Sequence, residues 1–65
     1  MNEFYVEKRQ NESGEHIVHT ASCSSLPAKD KLHYIGVRSN TEAPLKEAAN
    51  FWYSKSAPCL ECMSS

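Results

Sequence analysis

Two short pairs of metal-friendly side chains set the strongest constraint on this chain. His19-Thr20-Ala21-Ser22-Cys23 places a histidine and a cysteine four positions apart, and Cys59-Leu60-Glu61-Cys62 closes the sequence with a Cys-x-x-Cys. Zinc favours thiolate and imidazole donors in tetrahedral array, and structural sites use four of them. Both spacings are short enough for local turns to aim each pair at one ion. Between them lie residues 24–58, long enough for a strand and a helix, and a loop of that length gives a metal clip something to stabilise. The spacing therefore predicts one Zn²⁺ site built from His19, Cys23, Cys59 and Cys62.

A staple is what a chain of 65 residues needs. Small domains bury a low fraction of their surface, and their cores barely offset the entropy of ordering the chain. Apolar residues make up 40% of the sequence, which suits one modest core and one domain over residues 1–65. Three cysteines do not make a disulfide framework. The start, Met1-Asn2-Glu3-Phe4-Tyr5-Val6, lacks the charge and apolar run of a secretory signal, so a cytoplasmic address with reduced thiols is expected. Asn11-Glu12-Ser13 then reads as a turn and not as a glycosylation acceptor. No apolar run approaches a membrane span.

The order of elements follows from local chemistry. Phe4–Lys8 and His16–His19 are β-prone runs around a polar loop holding Asn11, Ser13 and Gly14, and they predict a hairpin. The Ser-rich stretch from Thr20 to Asp30, broken by Pro27, predicts turn and loop. Leu32–Arg38 predicts a third antiparallel strand, with Gly36 marking a bulge or a close backbone approach. Pro44 selects Thr41 as the N-cap of the following helix, because a missing N–H costs nothing in the first turn. Leu45, Ala48, Ala49 and Trp52 form one apolar stripe, predicting an amphipathic helix on the sheet with Trp52 as its largest core residue. Residues 54–58 end the helix and deliver the chain to the Cys pair. The fold class expected is α+β: a hairpin, a third strand and one helix, stabilised by zinc.

The histidine of the site has to be chosen. His16 and His19 are three apart on one strand and so face opposite sides. His19 is preferred because it leads directly into the Cys23 loop; His16 and His33 are the alternatives. The competing reading makes the Cys-x-x-Cys a redox pair, Cys23 a buried small hydrophobe and His19 a surface residue. No catalytic set is expected, since Asp30 is the one aspartate and two glycines cannot build a phosphate loop.

The run of hairpin, H-x3-C with "SCSSLP", strand "HYIGV", helix "EAPLKEAANFWY" and closing C-x2-C, from Phe4 to Met63, resembles the small metal-binding domain at the N-terminus of the Ada DNA-repair methyltransferases and related short bacterial domains. In that family four cysteines hold zinc and one of them accepts a methyl group from a DNA phosphotriester. By position, Cys23, Cys59 and Cys62 match three of the cysteines, and His19 stands where the first would be. Four thiolates leave a zinc centre doubly negative and its sulfur nucleophilic; imidazole in place of one leaves it singly negative and milder. The resemblance thus implies the fold and the zinc, while His19 argues against methyl transfer and against an enzyme.

Seven Lys/Arg against eight Asp/Glu, spread along the chain, leave a formal charge of −1, without the footprint of a dedicated nucleic-acid binder. The expected function is a zinc-binding interaction module whose partner and oligomeric state the residues do not name. The alternatives are a weak nucleic-acid module using Lys29, Lys31 and Arg38, or a zinc-thiolate alkyl acceptor or thiol redox protein using Cys59 or Cys62.

Overall fold

A computed structural model describes residues 2–24 and 26–62. Met63, the last residue of the stretch carrying the resemblance, lies outside them. The fold is α+β. Strands β1 (Asn2–Glu7), β2 (His16–Thr20), β3 (Leu32–Arg38) and β4 (Ser56–Pro58) form one mixed sheet in the order β3-β1-β2-β4. The hairpin and the third strand stand where the sequence predicts them. β1 lies antiparallel to both neighbours, with Tyr5 opposite His19 on one side and Tyr34 on the other.

The hairpin loop is closed by Asn11. Its Oδ1 accepts from the N–H groups of Ser13 and Glu15, and its own N–H donates to the Glu15 carbonyl at 2.8 Å. These bonds make Asn11-Glu12-Ser13 the turn its composition predicts. Gly14 takes φ +78° there.

β3 is bulged. Phe4 pairs with Gly36 and Tyr5 with Tyr34, so Ile35 is the extra residue. Gly36 sits at φ +137°, and a Cβ there would lie 2.7 Å from Nη1 of Arg38. The Arg38 guanidinium cannot simply swing away, because its Nε and Nη2 donate to the two oxygens of Glu47 on the helix. That pairing holds the Glu47 carboxyl below its ordinary range.

Helix α1 (Glu42–Glu47) begins after Thr41, with Pro44 buried in its first turn. The boundary is the expected one, but the capping side chain is a neighbour's. Asn40 Oδ1 accepts from the Ala43 N–H at 2.9 Å, and Thr41 makes no side-chain cap. From Ala48 to Trp52 the helix widens, and the Tyr53 N–H donates to the Ala48 carbonyl at 2.7 Å, an i→i+5 bond. This widening corrects the expectation for Trp52. An enlarged turn carries the i+7 position off the apolar stripe, so Trp52 stays 43% exposed and Phe51 more so, while Ala48 alone of the stripe is fully buried.

The core is Phe4, Val6, Val18 and Ala48 with Cys23 and Cys59, flanked by Ile17, Leu26, Ile35, Leu45 and Tyr53. Phe4 fills the central place assigned to Trp52 in the sequence reading. A second difference is β4. Residues 56–58 run parallel to β2, with Ile17 opposite Ala57, so the sheet gains a fourth strand.

On the helix side, two histidines stack on aromatic rings. His16 lies on Tyr53 with ring centroids 3.5 Å apart, and His33 on Trp52 at 4.4 Å. His33 Nε2 shares a 2.9 Å hydrogen bond with the Tyr53 hydroxyl. Burial, then the positive charge of Lys8, then His16, lower the His33 pKa below 6.5. A base whose folded pKa is depressed contributes stability that is present above its unfolded pKa and lost as pH falls through the folded one. Stability measured by urea unfolding is therefore expected to decline below about pH 6.5, and His33→Gln to shrink that slope. An unaltered slope in the variant would assign the decline elsewhere. Gly36→Ala is expected to lower stability by about 1–3 kcal/mol, from strain at positive φ and displacement of Arg38. A urea midpoint equal to the parent's would contradict that.

Candidate metal centre

Parallel pairing of β4 with β2 brings the two ends of the constellation together. The pairing continues past Pro58, where the Cys59 N–H donates to the Val18 carbonyl at 3.0 Å and so sets Cys59 beside His19. On the other side, β2 ends at Thr20 and the chain turns at once. The Cys23 N–H donates back to the Thr20 carbonyl at 3.1 Å, which returns Cys23 to the end of the strand. The Leu60–Cys62 turn then folds Cys62 over Thr20, whose N–H donates to Cys62 Sγ at 3.3 Å.

The result is a compact donor set. One ligand atom from each of His19, Cys23, Cys59 and Cys62 lies within 4.8 Å of every other. Cys23 Sγ and Cys59 Sγ are 3.8 Å apart, and Cys62 Sγ is 3.9 Å from His19 Nδ1. Zinc–sulfur bonds of ~2.3 Å arranged tetrahedrally put neighbouring sulfurs about 3.8 Å apart. The donors thus fit a tetrahedral ion in both chemistry and spacing. His19, Cys23 and Cys59 are buried and Cys62 half-buried.

The structure brings His19 to the cysteines and keeps the other two histidines away from them. His16 points to the opposite face, stacked on Tyr53, with Nδ1–H donating to the Glu7 carbonyl oxygen at 2.9 Å. His33 is engaged with Tyr53 and Trp52.

Glu7 is the residue that reading the sequence missed. Its carboxylate Oε2 accepts from His19 Nε2–H at 2.5 Å, leaving Nδ1 to face the cysteines. A carboxylate behind a metal-binding imidazole fixes its tautomer and raises its basicity. The signal lay in the hairpin register. Tyr5 opposes His19, so Glu7, two residues along the same face, is its diagonal neighbour.

The Cys59 sulfur is prepared for ionisation. Burial pushes the Cys59 thiol up, but backbone N–H groups of Cys62 and Glu61, with the Cys62 and Cys23 side chains, outweigh it and bring the pKa down to about 7. N–H···S bonds favour the thiolate, the form in which cysteine binds a metal. Glu61, between two of the donors, is exposed and accepts a 3.4 Å hydrogen bond from Ser24 Oγ.

Comparison with protein-family models, curated proteins and solved structures finds no match for this chain. Among the described residues no helix is long and apolar enough to cross a membrane. The cluster geometry is accordingly the main guide to function.

Glu7→Ala is expected to weaken zinc binding by about 10–100-fold, read by competition with a chromophoric chelator, and Glu7→Gln by less, since its amide oxygen can still accept from Nε2–H. His16→Ala is expected to lower stability and to keep the parent's stoichiometry of one zinc per chain. Parent-like affinity in the Glu7→Ala protein would remove Glu7 from the site.

Proposed function

We propose that this chain is a zinc-held binding module, with His19 Nδ1 and the thiolates of Cys23, Cys59 and Cys62 as a closed ligand set. The observation that carries the proposal is the mutual approach of those four atoms within 4.8 Å. When bound, zinc supplies a cross-link between the β2 end and the Cys-x-x-Cys turn. Four protein donors leave no open position on the ion itself, the arrangement of structural zinc sites. The core it supplements is small, and metal binding in such domains contributes directly to folding. What the zinc secures is the sheet and the surfaces it presents to a partner.

The resemblance to the Ada metal-binding domain agrees with this reading in ligand order and departs from it in chemistry. Three thiolates and a neutral imidazole on Zn²⁺ make a weaker nucleophile than four thiolates. A scaffold centre, not a methyl acceptor, is the better-supported function. Arg38, one of the residues considered for phosphate contact, is already engaged by Glu47, which further disfavours that route to nucleic acid.

The deciding experiment is native mass spectrometry of protein purified without added metal. One zinc per chain is expected, with loss of cooperative unfolding after treatment with a strong chelator. His19→Ala is expected to lose the metal. A metal-free protein with the parent's thermal transition would sink the proposal. Rapid alkylation of one cysteine by a methylating agent while zinc stays bound, seen by intact mass, would instead favour an acceptor.

A further inference from the structure

The widened turn at the end of the helix creates a second feature, separate from the metal centre. A cavity of about 320 Å³ opens beside Trp52, lined by Gln10, His16, Trp52, Tyr53, Ser54 and Lys55. That volume lies at the small end of ligand pockets. Its aromatic residues are held by ring contacts: His33 stacks on Trp52 at 4.4 Å, and His16, itself part of the lining, on Tyr53 at 3.5 Å. Trp52 nevertheless keeps 43% of its surface open. An apolar ring held rigid yet left exposed is a stacking platform with little ordering cost on binding.

The polar lining is selective. Among the described residues, Lys55 is the one permanently charged member of the lining, and no carboxylate shares it. The Gln10, Ser54 and Lys55 side chains make no hydrogen bond or ion pair to any described residue, so their donors face solvent. The ligand this suits has a flat ring for Trp52, a donor–acceptor edge for the Gln10 amide and an anion for Lys55. A planar cation would stack equally well but would meet Lys55 without a counter-charge.

We propose that this cleft binds a nucleotide, its base stacked on Trp52 and its phosphate held by Lys55. The proposal does not rest on the zinc reading, because no ligand of the metal centre lines the cleft. The same chemistry is offered by a free mononucleotide and by one nucleotide of a single strand.

Trp52 is the sole tryptophan, so its fluorescence reports the site directly. Zinc-loaded protein, its fold checked by circular dichroism, is titrated with dTMP and AMP. Saturable quenching is expected, with a dissociation constant on the order of 1 mM, as one stack and one charged contact allow. Lys55→Ala is expected to weaken mononucleotide binding about tenfold and to leave thymidine, which lacks the phosphate, unchanged. Trp52→Ala, followed by calorimetry, should lose binding by a similar factor or more. An oligothymidylate that binds at least about tenfold tighter than dTMP assigns the natural ligand to single strands; equal affinity assigns it to free nucleotides. No saturable quenching by any of them up to about 10 mM overturns the proposal. So does equal binding of benzoate, which has the ring and the anion without the heterocyclic edge, or an unchanged affinity in Lys55→Ala.

Discussion

The hydrogen bond from the Cys59 N–H to the Val18 carbonyl is the contact on which the arrangement of this protein depends. It extends the β2–β4 ladder by one step past Pro58, a residue that has no N–H of its own to give. The described residues that follow, 60–62, are placed by that step. It sets Cys59 next to His19, from which a three-residue turn carries Cys62 back over Thr20. Four donors from opposite ends of the sequence meet because two strands, distant in order, lie parallel and end together.

Glu7 organises the neighbourhood of that junction from the adjacent strand. Its carbonyl accepts from His16 and its carboxylate from His19, so one residue holds two histidines that alternation sends to opposite faces. The two rings acquire different jobs through this division. His16 becomes an aromatic plate under Tyr53, and His19 presents Nδ1 to the sulfurs.

Most of the sheet was legible in the sequence because β-prone runs and turn chemistry agree there. Leu32–Arg38 has both, and Gly36 announces its bulge through a backbone angle that other residues avoid. Three things were not legible. β4 is three residues of Ser, Ala and Pro, whose propensities argue against a strand; tertiary pairing alone makes it one. Trp52 fits a helical stripe until the turn widens at Ala48, where the Tyr53 N–H reaches the Ala48 carbonyl, a change that periodicity cannot register. Glu7 carries no motif, and its role needs the hairpin register before it can be seen.

The bulge at Ile35 has a consequence for how the molecule behaves among its own copies. β3 is an outer strand of the sheet, and its seven residues would otherwise offer a continuous row of backbone donors and acceptors to any passing chain. An extra residue in mid-strand breaks the repeat of that row and adds local twist. The other border is guarded differently, by a strand of three residues that ends in proline. A small sheet with so little core to spare is thereby protected at both margins from adding a foreign strand, which keeps its hydrogen-bonding capacity directed inward.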